Sequence, residues 1–244
     1  MNDIYMKTTL NRTRGPSRGP SGRKTGFTLI ELLTVIAVIG VLAAILIPTM
    51  SKVRQSANNS RTQAQFSQWI TAIESFKQEY GYYPDFDSDG DGGWNPSGEA
   101  AVSLQSERPR RNFIEILSGR MPDGARFQDN PRYREHPNRR RISFYSFSED
   151  DFDHSGSQTI PYIVDAFNNN DIVVVVDRTG NGIIDREDLD GADLPRVSPR
   201  ENVNVSARPD LPDRGIRAGV IIYSAGARAN SDAGVAENLV KSWQ

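Results

Sequence analysis

At 244 residues the chain suits one domain with appendages, or at most two small domains. A composition that is 37% hydrophobic and 25% charged supports a packed core over most of the length. The absence of cysteine excludes disulfides, thiol nucleophiles and Cys-based zinc sites, and two distant histidines, His136 and His154, do not make a metal centre or a triad.

The net charge of −2 hides an asymmetry. Residues 1–26 carry six bases (Lys7, Arg12, Arg14, Arg18, Arg23, Lys24) against Asp3, a balance of +5 that leaves −7 for the remainder. This start is rich in Gly, Pro and Ser and has no apolar periodicity, so it cannot fold alone. Before an apolar run it reads as the cytoplasmic flank of a membrane segment.

Phe27 to Ile47 is that run, with Glu31 its single charge. As a helix it reaches about 31 Å, enough to span a bilayer. A secretory signal would have a shorter apolar core followed by a small-residue cleavage site; here the small residue, Gly26, stands before the run. Glu31 is at odds with a plain anchor. A carboxylate at the centre of a membrane helix costs about 2.5–3.5 kcal/mol, less near the interface, and intramembrane acids usually meet a partner. The run contains no base, so a cation on another chain is the expected partner.

The stretch "GFTLIE" resembles the processing motif of type IV pilins and of the pseudopilins of type II secretion. The resemblance implies cleavage between Gly26 and Phe27 by a prepilin peptidase and methylation of the new N-terminus at Phe27. It also implies that Glu31, fifth in the mature chain, meets the N-terminal amine of a neighbouring subunit during assembly. Gly40 and Pro48 weaken the helix, and Pro48 removes a backbone donor and crowds the preceding turn. A kink at the exit from the bilayer is expected there.

Beyond Pro48, Phe66, Trp69, Ile70, Ile73, Phe76 and Tyr80 recur at helical spacing, opposite Gln68, Glu74, Lys77 and Gln78. Gly81 and Pro84 stop the pattern. The sequence therefore predicts one helix from about Phe27 to Tyr80, and "YGYYPD" after it is similar to the usual exit in that family. Arg110 to Ser118 predicts a short helix ended by Gly119. Ile142–Phe147, Asp171–Val176 and Val220–Tyr223 predict strands. The predicted class is α+β: a long N-terminal helix packed on a small antiparallel sheet. Its parts are a leader 1–26 that is removed, a transmembrane or filament-core helix 27–47, an amphipathic continuation 48–80, and an extracytoplasmic globular domain 81–244.

Charge is blocky in that domain. Ten Arg face four acids between Arg108 and Arg141, and eleven acids face Arg178 and Arg186 between Glu149 and Asp190. The basic block has no nucleic-acid reading motif, so it is expected to be a solvated face or to meet a neighbouring subunit.

Two Asp-rich stretches are candidate calcium sites. "DFDSDGDGG" alternates Asp85, Asp87, Asp89 and Asp91 with Gly, although Pro96 would fall on the last position of a twelve-residue frame. "DRTGNGIIDRED" follows that frame more closely: Asp177, Thr179, Asn181, the Ile183 carbonyl, Asp185 and Asp188, with Gly182 at the sixth position. A hairpin turn explains the same glycines. "YSAGARANSDAGVAENLVKSW" is similar to the C-terminal calcium loop of major pseudopilins through Ser224, Gly226 and Trp243. Arg228 stands where that family has Asp, and Asp232, Glu237 and Asn238 are the oxygen donors left.

No nucleophile–base pair, phosphate loop or metal–His signature points to an enzyme. The resemblance implies a structural subunit of a type II secretion pseudopilus. Its expected partners are further copies in a helical filament, prepilin peptidase, other pseudopilins and an inner-membrane assembly platform, with the membrane as host before assembly and no nucleic acid. The expected location is the inner membrane, N-terminus cytoplasmic and domain periplasmic. The absence of cysteine favours the secretion branch over a type IV pilus, many of whose subunits carry a C-terminal disulfide. A membrane-anchored, calcium-dependent binding module is the reading of a different class, and it leaves Gly26 and Glu31 without a role.

Overall fold

A computed structural model describes residues 26–87, 101–125, 136–155, 159–189, 196–197, 205–206, 209, 211–224, 226 and 239–243. The leader before Gly26, Asp89 and Asp91, and Arg228, Asp232, Glu237 and Asn238 lie outside them. The chain divides into two units, one up to Thr49 and one from Met50.

Helix α1, Leu29–Tyr80, runs helically through both Gly40 and Pro48. In the first unit the described large apolar side chains are exposed: Phe27 is 84% exposed and even Val35 is 49% exposed. Its most apolar stretch is entirely unburied. By length and composition this segment can cross a membrane.

In the second unit the expected stripe is buried. Phe66, Trp69, Ile73 and Phe76 are fully enclosed. Gly81, at φ 84°, closes α1 by donating its N–H to the Lys77 carbonyl at 2.7 Å; left-handed backbone of this kind suits glycine.

The remaining elements follow in chain order: β1 Ala101–Ser103, α2 Glu107–Ser118, a 3₁₀ turn Glu149–Asp151, β2 Phe152–Asp153, β3 Tyr162–Ile163, β4 Val173–Val176, a second 3₁₀ turn Glu187–Leu189, β5 Arg196–Val197, β6 Val205–Ser206, β7 Val220–Ser224 and β8 Val240–Lys241. The main sheet has the order β1–β4–β7–β8, antiparallel throughout, with Ala101 opposite Val175, Val174 opposite Ile222 and Ser224 opposite Val240. The pairs β2–β3 and β5–β6 are separate ribbons.

The sheet is covered on both faces, and alternate residues of its strands go to different cores. Val102, Val174, Val176 and Ile222 join the core of Trp69 and Phe76. Val173, Val175, Ile221 and Tyr223 join a second core with Ile184, Leu189 and Leu211. Double coverage explains why "VVVV" and "VIIY" are continuous apolar runs rather than alternating ones.

Two expectations need correction. Ile142–Phe147 is not a strand. The amides of Phe144 and Tyr145 both donate to the Leu117 carbonyl, at 2.8 and 3.0 Å, so the segment closes the end of α2 instead of joining a sheet. Its alternating aromatics fill the core: Phe144 packs edge-on against Phe76, and Tyr145 against Trp69. The basic block is also not wholly solvated. Arg110 is 1% exposed; its guanidinium donates to the carbonyls of Gln105 (2.7 Å) and Leu104 (3.3 Å) and stacks on the Tyr162 ring at 4.3 Å.

Gly219, just before β7, faces the Tyr83 hydroxyl so closely that no Cβ fits, and Tyr83 donates to Glu74 Oε1 at 2.8 Å. Gly219→Ala must push the Tyr83 hydroxyl and Glu74 aside where the exit of α1 meets the start of β7. Overpacking of this kind costs about 1–3 kcal/mol. A lowered urea midpoint for the detergent-solubilised full chain is the expected result.

Candidate functional site: the N-terminal segment and the Asp177 loop

Thr28 and Glu31 are bonded to each other. Thr28 precedes the first helical residue, and Glu31 is the third residue of α1. The Thr28 amide and hydroxyl both donate to Glu31 Oε2, at 2.8 and 2.7 Å, and the Glu31 amide approaches Thr28 Oγ1 at 3.3 Å. This is the reciprocal capping box of the Thr-x-x-Glu pattern, which satisfies two amides that a helix start leaves open. The sequence signal was there in "TLIE", and it shows that Glu31 has a partner within its own chain. The bonds also fix where the carboxylate sits, at the exposed end of the apolar segment, one turn from Phe27. Gly26 and Phe27 precede the helix and are exposed.

The two Asp-rich stretches meet through an ion pair. Asp85 Oδ1 accepts from Arg178 at 2.9 Å, with both side chains largely buried. Asp87 is tied to it, its amide donating to Asp85 Oδ1 at 3.0 Å. Asp85 therefore serves as a counter-ion for the residue next to Asp177.

The Asp177 loop is wound on its first carboxylate. Asp177, 3% exposed, accepts Thr179 Oγ1 (3.0 Å) and the Gly180 amide (2.8 Å) on Oδ1 and the Gly182 amide (2.7 Å) on Oδ2. Gly180 and Gly182 have φ of 73° and 77°, which glycine adopts without the penalty of a Cβ. Asn181 Oδ1 accepts the Ile183 amide at 2.7 Å, and Asp188 Oδ2 accepts the Asp185 amide at 3.0 Å. Ile184 bridges Ile216. Among the described residues no three His, Asp or Glu side chains converge on one point.

Sequence reasoning missed a third polar centre, the buried Asp165. It accepts the amides of Phe167 (2.8 Å) and Asn169 (3.0 Å) on Oδ1 and the Ser224 hydroxyl (2.6 Å) on Oδ2. Asn169 Nδ2 in turn donates to the Gly226 carbonyl. The start of the C-terminal Ser-x-Gly segment is thus held by the loop before β4. A lone Asp in "VDAFNNN" carries no pattern from which this could be read.

Burial pushes the Asp165 carboxyl above its ordinary value, with the donors from Ser224, Asn169 and Phe167 opposing the rise. Because the folded value exceeds the unfolded one, the associated stability is present below the unfolded value, about 3.9, and is lost as pH rises through the folded value. Asp165→Asn should flatten that part of the stability-versus-pH curve in urea titrations. Asp165→Ala should cost about 1–3 kcal/mol at all pH values, because it strands buried donors.

Comparison with known proteins bears on the N-terminal segment. Residues 22–47 match the Prokaryotic N-terminal methylation motif. The Type IV major pilin protein PilA of Myxococcus xanthus is 44% identical over 64 residues, 26% of this chain and 29% of that protein. Type II secretion system core protein G of Pectobacterium carotovorum is 32% identical over 69 residues, 28% of this chain and 44% of that protein. Fimbrial protein EcpB of Eikenella corrodens is 35% identical over 96 residues, 39% of this chain and 60% of that protein. The chain spans less than half the length of the first two relatives. No solved structure matches. The relatives are named as pilins, fimbrial proteins and secretion-system components, structural subunits rather than enzymes. With a methylation motif at residues 22–47, a long N-terminal helix and a small antiparallel sheet, the chain is similar to type IV pilins and pseudopilins.

Proposed function

We propose that the chain is a structural subunit of a type II secretion pseudopilus, cut after Gly26 by a prepilin peptidase, methylated at Phe27 and polymerised through α1. The observation that carries the reading is the pairing of an unburied apolar segment with one carboxylate fixed at its start by Thr28. Apolar side chains from Leu29 to Leu46 need lipid before assembly and other copies after it. The membrane holds the subunit with its N-terminus cytoplasmic and its domain periplasmic. When the subunit enters the filament, Glu31 exchanges the Thr28 amide for the N-terminal amine of a neighbour, a charged donor and so a stronger one.

A subunit of a type IV pilus is the second reading, favoured by the 44% identity to the Myxococcus pilin. Deleting the gene separates the two: secreted proteins retained in the periplasm support the first, and loss of surface fibres supports the second. The membrane-anchored binding module stands apart from both, since it would keep its function without Glu31.

Calcium enters through the Asp177 loop. What supports it is the agreement of the twelve-residue frame with a loop wound on Asp177 and turned at Gly182, as calcium loops of this length are. Asp188 in place of Glu shortens the reach of the last ligand, so weak binding is expected. Asp177, Thr179, Asn181, Asp185 and Asp188 would supply side-chain oxygens and Ile183 its carbonyl. Calorimetric titration of the full chain should give a calcium heat that Asp177→Ala abolishes; identical titrations would remove the loop from consideration.

Intact mass spectrometry tests the main reading. Cells with an active prepilin peptidase should yield a chain starting at methylated Phe27, and cells without it the unprocessed chain. Glu31→Ala should still be cut and should fail to assemble. A chain cut after the apolar run, or one identical with and without the peptidase, overturns the proposal.

A further inference from the structure

Two exposed turns of opposite charge are anchored to one face of α1. The basic turn is Arg139–Arg140–Arg141, all three exposed. Its backbone is bound to the end of α1: the Arg140 amide donates to Tyr80 Oη at 3.1 Å, Tyr80 Oη donates to Asn138 Oδ1 at 2.8 Å, and the Arg140 guanidinium pairs with Glu79. The Asn138 side chain braces the turn further, donating to the Ile116 and Ile142 carbonyls at 2.8 and 2.7 Å and accepting the Ile142 amide at 3.0 Å. Arg141 is held at φ 57°, a strained conformation for a residue with a Cβ. The Asn138 bonds to Ile142 hold the backbone on the far side of that residue in place. Among the described residues Arg139 and Arg141 have no ion-pair partner.

The acidic turn is Glu149–Asp150. It is fastened by Asp151, which accepts the Ser148 amide at 2.7 Å and its hydroxyl at 3.0 Å on one oxygen and Gln65 Nε2 at 2.8 Å on the other. With Asp151 buried, Glu149 and Asp150 point into solvent, Glu149 against the exposed His154 at 3.2 Å.

The anchors Gln65 and Glu79 lie fourteen residues apart on α1. At 3.6 residues per turn that is about four turns: about 21 Å along the axis and within about 40° of the same azimuth. One face of the helix thus carries a positive turn at its C-terminal end and a negative turn four turns back. In a filament of parallel copies, a shift of about 21 Å along the helix axis would bring the positive turn of one copy to the negative turn of the next, a head-to-tail contact that can propagate.

We propose that this charge pair is a subunit–subunit interface, in which Arg139 and Arg141 of one copy meet Glu149 and Asp150 of the next along the filament. The inference rests on the filament reading above and adds where the globular domains touch. Exposed pairs of this kind contribute modestly and mainly set register and partner choice.

The cysteine-free chain permits a direct test. Full-length Arg139→Cys and Asp150→Cys chains are co-expressed in cells with an active peptidase, and oxidised in the membrane. A mixed disulfide dimer, lost when Arg141→Glu is added to the Arg139→Cys chain and regained when Glu149→Arg is added to the Asp150→Cys chain, is the expected result. A second pair, Ile36→Cys with Val41→Cys, reports packing of the apolar segments. Crosslinks there without a 139–150 dimer overturn the interface and leave the filament reading intact. Crosslinks at neither pair overturn both.

Discussion

The packing of Trp69 organises the described part of the globular domain. Its ring lies 5.7 Å from Phe66, 5.3 Å from Phe113 on α2 and 6.3 Å from Tyr145, so α1, α2 and the segment that closes α2 meet on one side chain. Aromatic pairs at such distances and tilts add to the burial they accompany. Once this stripe is fixed, the inward residues of β4 and β7 have a surface to cover, and the sheet's opposite face must find a second cover. Ile184, Leu189 and Leu211 supply it from the loops. The polar centres at Asp165 and Asp177 both lie in segments that flank β4, where the two cores leave backbone amides in need of acceptors.

The same helix meets two different environments. Beyond Phe66 its apolar face is satisfied within the chain. Before Met50 the described large apolar side chains are exposed, and burial of a single Leu or Ile side chain gives about 1.5–3 kcal/mol. Repeated along the segment, that driving force is large, and under the proposed function lipid and other copies draw on it. The capping box limits what Glu31 does in this setting. Its carboxylate satisfies the Thr28 amide within the chain, so the acid does not need a foreign cation to be tolerated. Under the proposed function, assembly is then an exchange of donors rather than the rescue of an orphaned charge.

Charge in this chain divides into groups that hold the fold and groups that face outward. Arg110 and Arg178 are buried, one among carbonyls and one against Asp85, and they tie loops to the core. Arg139, Arg141, Glu149 and Asp150 are held at the surface by neighbours that are themselves buried or bonded to α1. Counting residues cannot separate these groups. The ten-arginine block looks uniform in the sequence, yet the position of Arg110 on the inner side of α2 puts it in the core.

The sequence alone determined the features that depend on local pattern. The C-terminal end of α1 followed from apolar spacing stopped at Gly81, that of α2 from Gly119, and the strands expected at 171–176 and 220–223, found at 173–176 and 220–224, from β-branched runs, because each of these signals acts within a few residues of chain. The Gly26–Phe27–Glu31 segment was legible for the same reason, although the Thr-x-x-Glu cap within it was overlooked. Tertiary structure decided what depends on distant partners: that 142–147 is an aromatic lid over α2 rather than a strand, that Asp85 pairs with Arg178 ninety-three residues away, and that Asp165 holds Ser224. Alternation along a strand and alternation along a lid look identical in one dimension. A carboxylate's role is set by which amides and cations surround it, and those arrive only when the chain has closed on itself.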